Sequence, residues 1–205
     1  MSAEGRRILS LFADRPLQEN DITRDENGRP YFPDRNADFN ISHSGFVCAV
    51  SFVSGSNLRT GCDIELVRPR VNMPEIAERY FSPDERNFIF FGDGECNVRF
   101  FTVWTIKECY LKLRGLSVFD MPKAPSFISD KGQLVFDGAV SSPFSFYVYE
   151  LLGPFCEKYL LSAAIEGDSQ PMPEIRWFSQ SFLSVRSIAE IKAAPSPTET
   201  VSPKM

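Results

Sequence analysis

One histidine, His43, in 205 residues is the first scarcity of this sequence. It excludes a metal site built on several imidazoles, so a bound cation would be held mainly by oxygen, as magnesium, calcium or manganese is. The five cysteines (Cys48, Cys62, Cys96, Cys109, Cys156) are odd in number and never spaced C-x-x-C. That speaks against a disulfide framework and a zinc site, and leaves buried free thiols as the reading. No apolar run approaches the roughly 20 residues of a membrane span, and the apolar segment in MSAEGRRILSLF is too short and interrupted for a signal peptide. A soluble, cytoplasmic chain is the expectation. A basic excess is missing too: 22 Lys and Arg stand against 27 Asp and Glu, a net charge of −5. Nonspecific nucleic-acid binding needs the opposite balance. An anionic small ligand could still bind where Arg and Lys converge locally.

What is present suits a globular core: 43% of residues are hydrophobic, in a chain long enough for one large domain or two small ones packed together. Residues Arg6 to Asp14 read as a short helix, and Asp25-Glu26-Asn27-Gly28 carries turn chemistry between two extended runs. Phe39 to Ile41, Val47 to Val53 and Cys62 to Val67 read as strands. In FSPDERNFIFF, Ser82 can cap a helix, Pro83 suits its first position and Glu85 completes a capping box. A longer helix is expected from about Asn97 to Leu113, with Val103, Ile106, Tyr110 and Leu113 on one apolar side. Strand patterns return at Phe127 to Ile128, Gln133 to Phe136, Phe144 to Leu152 and Tyr159 to Ile165. From Ala193 the Pro, Ser and Thr-rich AAPSPTETVSPKM has little to bury and reads as a disordered tail, residues 193–205.

ITRDENGRPYF (Ile22 to Phe32) and FISDKGQLVF (Phe127 to Phe136) echo each other as extended, turn, extended. The repeat suggests an α+β fold of two similar lobes, residues 1–100 and 101–192, with a functional site between them.

Three clusters could carry chemistry. In GCDIEL, Asp63 and Glu65 point to one face of a strand while Ile64 points to the other; two such acids are equally ordinary on an exposed edge strand. In WTIKECYLK, helical geometry puts Trp104, Glu108 and Lys112 on one face with Lys107 flanking, which is also what a surface ion pair would look like. In FNISHSG, His43 stands between Ser42 and Ser44 just after a short strand. It is not a hydrolase signature, and its alternatives are an ordinary loop histidine or a donor to phosphate.

Together these clusters resemble a known family. GRP at Arg29, FNISHSG, GCDIE, FSPDE and WTIKECYLK follow the order and spacing of the 4′-phosphopantetheinyl transferases of the surfactin-synthetase (Sfp) type, from Gly28 to Lys112. The paired signature, G-x-D-x-E followed about forty residues later by W-x-x-K-E-x-x-x-K, is more specific than either half.

The resemblance implies transfer of the phosphopantetheine arm of coenzyme A to a serine of an acyl or peptidyl carrier protein, releasing adenosine 3′,5′-bisphosphate. It implies Asp63, Glu65 and Glu108 as magnesium ligands, and Lys107 and Lys112 as pyrophosphate contacts, with Lys112 and Glu108 catalytic. Ser42 and His43 would contact the coenzyme A phosphates, His43 at the 3′-phosphate. Arg29 stands where the family usually has lysine before proline. Glu85 matches F-S-x-x-E but is already explained by capping. The N-terminal part is shorter than in larger members, leaving Arg6 and Arg7 as the basic residues near the start. Arg68, Arg70 and Arg114 are candidates for meeting an acidic carrier, and members with two lobes usually act as monomers. Two rivals stand beside this reading: a magnesium-dependent phosphohydrolase or nuclease, and a noncatalytic module that binds coenzyme A or a carrier protein.

Overall fold

A computed structural model describes residues 3–13, 16–138, 142–153, 155–167 and 184–193, and the fold they form is α+β. Helix α1 (Ala3–Phe12) leads through a 3-10 turn, Glu19–Asp21, to strands β1 (Thr23–Arg24) and β2 (Pro30–Tyr31), then β3 (Ala37–Ser44), β4 (Val47–Ser54) and β5 (Arg59–Leu66). Helices α2 (Met73–Tyr80) and α3 (Pro83–Phe91) follow. Then α4 (Cys96–Arg114) leads through a second 3-10 turn, Val118–Lys123, to β6 (Ser126–Ile128), β7 (Leu134–Asp137), β8 (Phe144–Leu152), β9 (Lys158–Glu166) and β10 (Ser184–Ala193). Among the described residues, the succession helix, 3-10 turn, five strands thus occurs twice. Both halves of the sequence echo form antiparallel pairs, β1 with β2 and β6 with β7.

The largest sheet has the order β10-β8-β9-β5, every pairing antiparallel. β3 and β4 form a separate hairpin. The boundary expected near residue 100 falls inside α4, and β5 pairs with β9 from the far side of it.

Helix α4 is buried on most of its circumference, so its two apolar sides serve different clusters. Phe100, Phe101 and Val103 pack with Met73, Ala77 and Ile89 from α2 and α3. Ile106, Cys109 and Leu113 pack with Phe127, Phe144 and Phe146 from the strands. A helix enclosed in this way needs few polar positions, and those it has must find partners. Its end is set by Gly115 at φ 69°, the left-handed conformation that glycine adopts without steric cost.

The capping box at Ser82 forms as expected: Ser82 Oγ accepts from Glu85 N, and Glu85 Oε2 accepts from Ser82 N at 2.8 Å. Glu85 does more than cap. Its carboxylate also takes the Lys107 ammonium at 3.1 Å and the Phe127 amide at 3.0 Å, at 0% exposure. Three elements, α3, α4 and β6, therefore meet at one buried charge pair.

The structure differs from the sequence reading in several places. The short strand ending at Ile41 continues to Ser44, so His43 lies within a strand and not in a loop. Helix α2 and strand β10 were not expected. Asn72 makes no side-chain capping bond to announce α2, and a register shift between Ser187 and Ala189 breaks the alternation of β10. The first helix begins earlier, at Ala3, and its expected end at Asp14 lies outside the described residues, as does the tail beyond residue 193. The cysteines are free, but only Cys62 and Cys109 are buried; Cys156 is exposed.

Removing one partner of a fully buried ion pair strands the other. Glu85→Leu should cost about 3–5 kcal/mol in urea unfolding, and Glu85→Leu combined with Lys107→Met should recover much of that loss.

Candidate active site

Strand β5 turns Gly61, Asp63 and Glu65 to one face. A Cβ at Gly61 would lie 2.6 Å from the Cys109 carbonyl oxygen and 2.9 Å from the Leu113 amide nitrogen. The backbones of β5 and α4 can meet there only because no side chain intervenes. Beside this contact, Asp63 and Glu65 come up against Glu108 and Lys112, which share a helix face four residues apart.

Lys112 Nζ sits 2.6 Å from Asp63 Oδ1 and 3.0 Å from Ser42 Oγ, and the Ser42 hydroxyl donates to the same Asp63 oxygen at 2.7 Å. The Ser44 hydroxyl donates to Glu65 Oε2 at 2.8 Å. Burial pushes the Asp63 carboxyl above its ordinary value, and Lys112 and Ser42 pull it part of the way back. Burial also opposes the charge on Lys112, but the adjoining Asp63 outweighs it and holds the ammonium above its usual range. Glu108 is pushed up to about 7, first by burial and then by the negative charges of Asp63 and Glu65, with Lys112 opposing. The three carboxylates therefore share one field.

The free edge of β5 is finished in an unusual way. The amides of Thr60, Cys62, Ile64 and Leu66 donate to side-chain oxygens of Asp38, Asn40, Ser42 and Ser44 at 2.8, 3.2, 3.3 and 3.0 Å. Each donor is 22 residues beyond its acceptor, so β3 and β5 run in the same direction, with side chains standing in for a backbone ladder.

Other residues singled out in the sequence lie elsewhere. Arg29 grips Asp38 with two nitrogens, at 3.1 and 2.6 Å, and donates to the Thr60 carbonyl at 3.0 Å, which makes it a buried clamp between β3 and β5. Lys107 is not brought to the carboxylates: its side chain is 2% exposed and its ammonium is taken by Glu85 and the Pro125 carbonyl. His43 is exposed on β3, facing away from the Ser42 and Ser44 side of the strand. Arg114 is paired with Glu166 at 2.6 Å, and Arg70 stands over the rings of Phe100 and Trp104. Arg6 is half-buried and Arg7 exposed. The sequence reading missed Ser44. The signal for it was S-x-S opposite D-x-E, two period-two patterns whose meeting requires the strand pairing to be known.

The donor set fits a hard divalent cation. Asp63, Glu65 and Glu108 in ionised form carry three negative charges against the one positive charge of Lys112, and Asp63 Oδ2 is buried without a hydrogen-bond partner. Asp63 Oδ1 is turned to Lys112 and Ser42, and among the described residues no three acidic, histidine or cysteine side chains are grouped closely enough to hold a metal ion as they stand.

The sequence profile of the 4′-phosphopantetheinyl transferase superfamily matches residues 59–163, just over half of the chain, from the start of β5 into β9. The chain is 30% identical over 124 residues to a protein of Haemophilus influenzae described as a putative 4′-phosphopantetheinyl transferase, a match covering 56% of this chain and 53% of that one. It is 34% identical over 125 residues to the 4′-phosphopantetheinyl transferase AcpT of Escherichia coli, covering 60% and 61%. With HetI of Nostoc, another 4′-phosphopantetheinyl transferase, it shares 35% over 98 residues, covering 44% and 40%. The chain thus spans about half the length of these curated relatives.

Two measurements probe the geometry. Gly61→Ala should force α4 off β5 and cost roughly 1–3 kcal/mol in denaturant unfolding, because the new methyl meets backbone on the facing helix. Glu108, whose carboxyl holds its proton more tightly folded than unfolded, should lower stability as pH rises from the ordinary value of 4.5 to about 7. With a chelator present, the stability advantage of Glu108→Gln over the parent should grow across that window and level off above it.

Proposed function

Because the chain belongs to the 4′-phosphopantetheinyl transferase superfamily, we propose that it transfers the phosphopantetheine arm of coenzyme A to a serine hydroxyl of an acyl or peptidyl carrier protein. The observation that carries this reading is the convergence of Asp63 and Glu65 on β5 with Glu108 and Lys112 on α4.

In this reading the carrier serine oxygen bonds to the β-phosphorus of the coenzyme A pyrophosphate. The bond from that phosphorus to the bridging oxygen breaks, and adenosine 3′,5′-bisphosphate leaves. Glu108, as a metal-held carboxylate acting directly or through a water, takes the hydroxyl proton. Asp63, Glu65 and Glu108 would hold magnesium, which would supply charge neutralisation at the pyrophosphate oxygens. Lys112, 27% exposed at its side chain, can turn its ammonium to a phosphate oxygen when Asp63 finds another cation. Exposed His43 is free to meet the 3′-phosphate. Arg29 and Lys107 act by holding β3 and α4 in place, since each already has a buried carboxylate partner.

The doubled succession of helix, 3-10 turn and five strands supports two related lobes, with the candidate site where β5 of the first meets α4 of the second. For docking an acidic carrier, Arg68 is the best of the three arginines named, being exposed while Arg114 is neutralised by Glu166.

Mass spectrometry of an apo carrier protein incubated with the chain, coenzyme A and magnesium should show the gain of one phosphopantetheine arm. Asp63→Ala and Glu108→Ala should each abolish that gain while folding normally. Release of product without the carrier would mark a hydrolase instead, and binding without turnover a noncatalytic module.

A further inference from the structure

The side-chain ladder between β3 and β5 changes character along its length. At Asp38 and Asn40 the acceptor is a carboxylate or amide oxygen; at Ser42 and Ser44, the two positions beside the acids, it is a hydroxyl. A serine hydroxyl has one proton to donate and two lone pairs to accept with, and in isolation it rotates freely. Here it cannot. The Leu66 amide occupies a lone pair of Ser44 Oγ at 3.0 Å, and the remaining proton goes to Glu65 Oε2 at 2.8 Å. Ser42 Oγ is filled completely: it accepts from the Ile64 amide at 3.3 Å and from Lys112 Nζ at 3.0 Å, and donates to Asp63 Oδ1 at 2.7 Å.

We propose that Ser42 and Ser44 are positioning residues that lock the Asp63 and Glu65 carboxylates to the backbone of β5 and so present them ready-oriented to a divalent cation. This rests on the transferase reading for the identity of the cation site. Each hydroxyl is fixed by the amide that follows the acid it holds, so the strand sets the carboxylate rotamer. Asn40 provides an internal comparison: it is a ladder rung of the same kind, bonded to the Cys62 amide, with no site carboxylate attached.

The test is Mn2+ titration of the full chain, read by the electron paramagnetic resonance of free Mn2+, with unfolding midpoints measured without metal. Loss of a hydrogen bond that orients a ligand typically costs about 10–100-fold in metal affinity, and Ser44→Ala should weaken Mn2+ binding on that scale. Ser44→Thr, which keeps the hydroxyl, should restore it. Asn40→Ala should lower the unfolding midpoint and leave Mn2+ affinity unchanged. In transfer assays Ser44→Ala should raise the magnesium requirement with kcat retained at saturating metal. The proposal is overturned if Ser44→Ala binds Mn2+ like the parent, or if Asn40→Ala weakens it equally. A parent that binds Mn2+ and shows this pattern yet modifies no carrier leaves the positioning role standing and overturns the transferase reading. Transfer by a parent with no measurable Mn2+ affinity does the reverse.

Discussion

A helix and a strand can touch backbone to backbone only where a side chain is missing, and Gly61 is that place in this chain. The distance from its position to the Cys109 carbonyl and Leu113 amide leaves no room for a methyl group. That contact sets the depth at which α4 sits, and so the height of Glu108 and Lys112 over Asp63 and Glu65. With α4 standing farther off, the carboxylates would no longer feel one another. The charges of Asp63 and Glu65 that help raise Glu108 would then act on it less.

The interior holds charge in two ways. Glu85 with Lys107 is a closed arrangement in which backbone groups take up the hydrogen bonds left over, and Arg29 with Asp38 is nearly so, only the Arg29 Nε being without a partner. Such pairs fix the relative positions of elements and have little capacity left for a ligand. Asp63 with Lys112 is open. One carboxylate oxygen carries a serine and an ammonium, the other carries nothing, and two further acids stand nearby. An open carboxylate pair held between anchored elements is what a binding site for a charged ligand requires.

Much of this was legible because it is written in local periodicity. The Ser82 capping box, the long helix and the D-x-E alternation follow from rules that operate within a few residues, and each appears in the structure. What was not legible depends on partners distant in sequence. The resemblance implies the same pyrophosphate role for Lys107 and Lys112, yet one is buried against Glu85 from α3 and the other faces β5. Arg29 reads as a ligand contact only through the family resemblance, and its partner, Asp38, comes from the next hairpin. Ser44 carried no signal until β3 was laid beside β5. Strand β10 escaped because a bulge hides its alternation.

The ladder has a consequence for how the chain can change. Its rungs recur every second residue on both β3 and β5, so deleting one residue from β3 would bring Ile41 and His43 opposite amides that now meet Asn40, Ser42 or Ser44. An isoleucine offers no oxygen to those amides, and the acids would lose their hydroxyls in the same step. Insertions in the β4–β5 connection leave the parity of both strands intact. Length variation in such chains should therefore collect in that loop, while within the two strands only changes of an even number of residues preserve the face that the site is built on.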